Sequence, residues 1–239
     1  MKNIFLSFLL LSVFSIFSFG QKIINDANVE KREVTSFHGI DVATGIVLTL
    51  TKGSAEEVAV SASETKYRDK IVTEVINGIL KIHYETKTGA INHINQSKAL
   101  RAYVSYTALD LLQVSTGAKV NIVDMLESPS LDLKANTGGL VNGEISIGTL
   151  KVEQNTGSKI TLSGKVDQLD AAGSTGSKFM GENLNTNSCN AEMDTGAGIY
   201  ISVEKHLSVR ANTGGYVRYK GAAAINEIKI NTGGKISKI

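Results

Sequence analysis

The run Leu133-Lys134-Ala135-Asn136-Thr137-Gly138-Gly139-Leu140-Val141 returns with small changes throughout the second half of the chain. Its Thr-Gly dipeptide recurs at Thr116-Gly117, Thr137-Gly138, Thr156-Gly157, Thr175-Gly176, Thr195-Gly196, Thr213-Gly214 and Thr232-Gly233, with Gly-to-Gly steps of 21, 19, 19, 20, 18 and 19 residues. A near-constant step of this size marks a repeat architecture. Alignment on the Gly produces columns. Three places after it stand Val120, Val141, Ile160, Phe179, Ile199, Val217 and Ile236; five places before it stand Leu112, Leu133, Val152, Ala171, Ala191, Val209 and Ile228. The residue directly after it is always small, and the one two places before it is Asn, Ser or Asp, a turn former.

Apolar and polar columns alternate on both sides of the dipeptide, which is the period of a strand. Each copy reads as strand, corner, strand, with the Gly at the corner free to adopt angles that other residues avoid. A unit of about 20 residues cannot bury its own apolar face, so copies must stack. The expected fold is all-β: a right-handed parallel β-helix with coils of about 19–20 residues. Seven coils at about 4.8 Å each extend roughly 30 Å. The polar columns support the register. Lys134 is followed one coil later by Glu153, and Glu192 by Arg210, while Asp132, Lys151 and Asp170 alternate in sign. Opposite charges on neighbouring strands attract, but exposed pairs contribute at most about 1 kcal/mol each. Asn and Thr at the corners are expected either to form ladders inside the stack or to act as plain turn formers. Cys189 shares a column with Leu131, Leu150, Leu169 and Leu207 and reads as a small buried hydrophobe.

Residues 33–106 lack the clean repeat. Short β-type runs occur at 46–51, 58–62, 71–76, 79–84 and 100–106, Asn77-Gly78 is a hairpin turn signal, and Ser63 is positioned to cap a short helix over 64–70. Residues 86–98 read as a loop. The expected organisation is a linker over 21–32, an N-terminal β region over 33–106 that caps the solenoid, and repeats over 107–239. Such a cap would cover a strand edge that otherwise invites aggregation.

Residues 1–20 read as an export signal: Lys2, then sixteen residues from Ile4 to Phe19 with twelve apolar side chains and four Ser, then Ser18-Phe19-Gly20 as a small-residue cleavage site. A membrane span needs about 20 apolar residues; an uncleaved N-terminal anchor is the alternative. Cleavage after Gly20 would start the mature chain at Gln21, and no Cys follows for lipid attachment. No second long apolar segment predicts a membrane span in the mature chain.

The 239 residues carry a net charge of only +2, which gives no support to nucleic-acid binding, and a single Cys excludes an intrachain disulfide or a Cys-based zinc cluster. His38, His83, His93 and His206 sit in unrelated contexts, so no metal site is expected. Neither a GxxxxGK[ST] phosphate loop nor a Gly-Gly-x-Gly-x-Asp calcium repeat occurs, and no cofactor is expected. Nothing in the sequence sets an oligomeric state. One pair of columns stands out. Two places after the Gly come Lys119, Lys159, Lys178 and Lys235, with Leu140, Gly198 and Tyr216 between them; four places after it come Asn121, Asn142, Tyr200 and Arg218. Neither column holds an acid. The candidate binding residues are therefore Lys119, Lys159, Lys178, Tyr200, Tyr216, Arg218 and Lys235, a basic stripe suited to an acidic polysaccharide or to lipopolysaccharide phosphates; the plainer reading is a solubilising surface.

Three features together resemble one family: the export signal, the opening Val34-Thr35-Ser36-Phe37-His38-Gly39-Ile40-Asp41-Val42, and Asn77-Gly78-Ile79-Leu80-Lys81-Ile82 followed by Asn-Thr-Gly-Gly coils. The chain is similar, over roughly residues 33–239, to the putative auto-transporter adhesin, head GIN domain family of Bacteroidota. The resemblance implies a surface adhesin and carries over no catalytic residue. The expected function is thus a non-enzymatic exported binding module for a cell-envelope or surface component. The alternative is a β-helix polysaccharide lyase or hydrolase, which would need clustered carboxylates. Glu192 and Asp194, on one strand, are a poor pair for that task.

Overall fold

The structure is a computed structural model that describes residues 26, 28–85 and 97–239. The export signal expected at residues 1–20 lies outside these, as does most of the loop expected at 86–98.

The corner is tighter than the sequence suggests. At Asn136-Thr137-Gly138-Gly139 the φ angles of Thr137 and Gly138 are 46° and 72°, and Gly139 N–H donates to the Asn136 carbonyl at 2.9 Å. Two consecutive positive φ values closed by that bond define the mirror-image two-residue turn, type I′. Thr takes the left-handed conformation in all seven copies, with φ between 44° and 50°. This costs an L-residue roughly 1–2 kcal/mol. An inter-coil ladder offsets the cost: Gly117 N–H donates to the Thr137 carbonyl, Gly138 to Thr156 and Gly157 to Thr175, each at 3.0 Å. Each strained Thr thereby supplies the acceptor for the turn before it. The polar turn side chains lie on the surface, where Asn231 donates to Asn212 at 3.0 Å.

The repeats form strands β8 (Leu111–Val114), β9 (Lys119–Ile122), β10 (Leu126–Ala135), β11 (Leu140–Gln154), β12 (Lys159–Gly173), β13 (Lys178–Met193), β14 (Gly198–Ala211), β15 (Tyr216–Lys220), β16 (Ala224–Ile230) and β17 (Lys235–Lys238). All pair in parallel, one coil on the next. Leu133 faces Val152, then Ala171, Ala191, Val209 and Ile228. Val120 faces Val141, then Ile160, Phe179, Ile199, Val217 and Ile236. Apart from Ile228 and Ile236 in the last coil, these side chains are buried in one aliphatic core. Full burial of each large one contributes about 1.5–3 kcal/mol. Cys189 is buried among them, and burial pushes its thiol pKa well up.

The first half comprises β1 (Glu30–Arg32), β2 (Gly39–Val42), β3 (Val47–Lys52), β4 (Glu57–Ser61), α1 (Thr65–Arg68), β5 (Ile71–Ile76), β6 (Ile79–Tyr84) and β7 (Arg101–Tyr106). Here chain order and stacking order differ. β2 and β3 are joined by Thr44-Gly45, with φ 61° and 71°, and this turn bonds to the repeat turns through Gly45 N–H and the Thr116 carbonyl at 3.0 Å. The β2–β3 coil lies on the β8–β9 coil, while β6 and β7 stack in parallel on its other side. The chain therefore enters inside the stack, moves outward, and returns. β5 and β4 then run antiparallel to β6 and β7, and β1 to β4, covering the outer edge. Asn77-Gly78 makes the expected hairpin turn between β5 and β6, with φ 52° and 75°. The helix is shorter than expected and starts after Glu64, with no side-chain cap, so Ser63 does not cap it.

Candidate functional site

Each coil has a limb after the Thr-Gly turn and a limb before the next one. On the post-turn limb, residues at odd offsets from the turn Gly enter the core and those at even offsets face outward, which sets the two basic columns side by side. In the first column Lys119 faces Leu140, then Lys159, Lys178, Gly198, Tyr216 and Lys235. In the second, Asn121 faces Asn142, then Thr161, Met180, Tyr200, Arg218 and Ser237. Sequence reasoning placed all seven candidates on one face, and the register brings them together there. Lys159 and Lys178 are directly adjacent, so two like charges stand one strand spacing apart, about 4.8 Å. Among the described residues, none of Lys119, Lys159, Lys178, Arg218 and Lys235 forms an ion pair.

Near the end of the stripe the aromatic residues form a cluster. The Tyr200 and Tyr216 rings meet edge to face, with centroids 5.9 Å apart and planes at 82°. The Arg218 guanidinium lies 5.4 Å from the Tyr200 centroid and 6.0 Å from that of Tyr216. Tyr216 lies across Gly198: a Cβ at that glycine would be 2.0 Å from its ring. Burial, then the Tyr200 hydroxyl, raises the Tyr216 pKa.

The same two columns continue into the first half of the chain, which the sequence did not reveal. Arg101 faces Val47, which faces Lys119; Tyr103 faces Thr49, which faces Asn121. Against this pair sits the carboxylate of Asp26. It accepts from Arg101 Nη1 at 3.0 and 3.1 Å and from the Tyr103 hydroxyl at 2.8 Å. Burial acts to raise the Asp26 pKa, but the Tyr103 and Ser61 hydrogen bonds and the Arg101 charge outweigh it and hold the carboxyl below its usual range. Burial and the neighbouring Asp26 push Tyr103 up to about 12. The sequence signal was the alternation Arg101-Ala102-Tyr103, which matches Tyr216-Val217-Arg218 in residue types but follows no Thr-Gly.

The pre-turn limb is different. It forms a shallow depression of about 340 Å³ lined by Lys151, Glu153, Asp170, Ala172, Glu192 and Arg210 among others. Its charges are matched: Lys151 meets Glu153 at 2.7 Å, Arg210 meets Glu192 at 2.9 Å, and Asn190 donates to Asp170 at 2.8 Å. Asp194 accepts from its neighbour's Thr195 N–H at 2.7 Å, so Glu192 and Asp194 are each committed to a structural bond. His38 pairs with Asp110 at 2.7 Å on an exposed surface. Among the described residues, no group of three or more His, Cys, Asp and Glu stands close enough to hold a metal. Nor is any helix among them long and apolar enough to cross a membrane.

Comparison with known proteins matches this architecture to solved structures at low identity, which shows the fold. A Bacteroides fragilis protein described as a putative adhesin has 17% identity and a TM-score of 0.76, covering 88% of this chain and 96% of its own. A Parabacteroides merdae putative adhesin has 14% identity and a TM-score of 0.70, with 90% and 97% covered. A Parabacteroides distasonis protein described as a putative lipid binding protein has 18% identity and a TM-score of 0.68, with 89% and 97% covered. No curated protein matches the chain. The family model described as "Putative auto-transporter adhesin, head GIN domain" matches residues 36–223. With that much of its length matched, from the strand that enters the stack to the penultimate coil, the chain belongs to the putative auto-transporter adhesin, head GIN domain family.

Proposed function

We propose that the protein is an exported, non-enzymatic binding module of the cell envelope or surface, and that its post-turn face holds an anionic polymer. The observation that carries this reading is the pair of acid-free columns, in which Lys159 and Lys178 stand together without an ion pair while the neighbouring limb matches its charges. Like charges on adjacent strands are a cost that a bound anion would remove. The Asp26 carboxylate on Arg101 and Tyr103 illustrates the chemistry: a cation and a tyrosine hydroxyl two residues apart hold one carboxylate together. Tyr216 and Arg218 repeat that spacing at the other end of the stripe. An acidic polysaccharide presents carboxylates at intervals that successive rungs can meet, and Tyr200 and Tyr216 offer ring surface for sugars. Lipopolysaccharide phosphates offer a second source of negative charge. The family's adhesin designation supports surface binding, and the residues 1–20 pattern supports export.

The test incubates the protein with immobilised acidic glycan, neutral glycan and lipopolysaccharide. Retention on an acidic matrix that falls steeply with salt supports the reading, since several screened charges act at once. Equal retention on neutral glycan, or none on either acidic matrix, contradicts it. Time-dependent release of glycan fragments would instead favour the lyase or hydrolase alternative.

A further inference from the structure

The two ends of the stack are finished differently. At one end the antiparallel strands β4 and β5 cover β7 and β6. At the other end β16 and β17 continue the inward columns, and among the described residues no further strand lies over them. Ile225, Ile228 and Ile230 face Leu207, Val209 and Ala211 of the coil below, yet are 41%, 46% and 41% exposed, and Ile239 is 58% exposed. The backbone is open there too. Asn231 donates its N–H back to Ala211 at 2.9 Å, and peptide groups alternate in direction along a strand. Those of Ile228 and Ile230 therefore point out of the stack, the arrangement that recruits another strand.

The charges say which strand fits. On the outer side of β16, Glu227 and Lys229 flank Ile228 and form an ion pair with each other. This Glu-Ile-Lys triplet is complementary to its own reverse. A second copy related by a two-fold axis beside Ile228, midway between the two strands and perpendicular to the sheet, would run its β16 antiparallel to the first. Ile228 would face Ile228 of the second copy as a hydrogen-bonded pair. Glu227 of each copy would face Lys229 of the other, an attractive pair on both sides of the axis. The axis keeps the core side of both strands on the same side, so the exposed isoleucines would join into one apolar layer. A closed two-fold contact of this kind also ends the open edge, which a head-to-tail contact would merely pass on.

We propose that this protein self-associates tail to tail, through an isologous antiparallel β16–β16 contact centred on Ile228. The pair would carry two basic stripes on a single rod, each running along its copy to the Lys235 rung of the last coil, beside the contact.

Sedimentation of the full chain across a dilution series, with three sequences compared, tests this. Wild type should show a concentration-dependent dimer. Lys229→Glu sets Glu227 against Glu at both positions and should weaken the dimer about tenfold. Glu227→Lys/Lys229→Glu restores opposite charges in the reversed sense and should recover the wild-type dimer. Both side chains are exposed, so none of these changes threatens the fold. A monomer at every concentration would overturn the proposal and leave another occupant for this end. So would a dimer indifferent to Lys229→Glu, or a double variant no better than the single one.

Discussion

The pre-turn and post-turn limbs share one backbone ladder, one core and one coil spacing, but handle charge in opposite ways. On the pre-turn limb Lys134 lies between Asp132 and Glu153 at 3.5 and 3.7 Å, Lys151 shares Glu153 with it at 2.7 Å, and Arg210 pairs with Glu192 at 2.9 Å. On the post-turn limb no acid occurs in the two outward columns from Lys119 to Ser237, and Lys159 and Lys178 are neighbours. The coil therefore does not dictate the surface charge. The pre-turn limb uses charge to fix register between strands. The post-turn limb gets its register from the shared core and turns, without ion pairs among the described residues of its two outward columns.

If both limbs depend on the shared core, a core change should break both at once, and this is the largest effect expected. Ile160→Asp places an unpaired charge in a fully buried column and should cost several kcal/mol. Thermal unfolding and soluble yield check it; wild-type stability would mean that the register is wrong. Next come the turns that join the limbs. A Cβ at Gly215 would sit 2.1 Å from the Met193 carbonyl oxygen, whereas one at Gly214 would meet nothing within 4 Å and suffer only the left-handed backbone, φ 76°. Gly214→Ala should cost about 1–2 kcal/mol, and Gly215→Ala clearly more, in denaturant titrations of the two variants.

These turns also show how far the sequence could be read. Seven Thr-Gly copies at near-constant spacing disclosed the coils, because each neighbour in space is also the next copy in the chain. Thr44-Gly45 makes the same turn and joins the same ladder, but residues 53–106 intervene before the next copy, so no spacing exposes it. The stacking of β6 and β7 outside β2 and β3 is likewise non-local and leaves no period. The basic columns were legible for the reason the coils were. The Asp26 contact was not, since it joins residues 75 and 77 positions apart with no pattern between them. Gly198 was a quieter signal: a missing side chain in an outward column is where the Tyr216 ring lies.

The smallest stability effect separates the limbs by pH. Lys151 and Lys134 lower the Glu153 pKa below its ordinary value of 4.5, against the opposing effect of burial. A lowered folded-state value adds stability above the unfolded pKa, and that stability is lost as pH falls through the folded one. Acid should thus weaken the pre-turn limb, by under about 1 kcal/mol for this exposed group. Melting temperatures at neutral pH and at pH values below the ordinary Glu range, compared between wild type and Glu153→Gln, check the sign. The variant should be less stable at neutral pH and lose less on acidification. An identical acid response would mean that the pair contributes nothing.

The most direct measurement sets the two faces against each other with equal changes of charge. Lys159→Glu/Lys178→Glu and Lys151→Glu/Arg210→Glu each reverse two cations, one pair on each limb, and leave the net charge of the two variants identical. Affinity for a soluble acidic polysaccharide would be measured for both and for wild type over a range of salt. The post-turn variant should lose at least about tenfold in affinity and most of its salt dependence, while the pre-turn variant should bind nearly as wild type with a lowered melting temperature. Equal losses in the two variants would show that only net charge matters and would contradict a binding face on the post-turn limb.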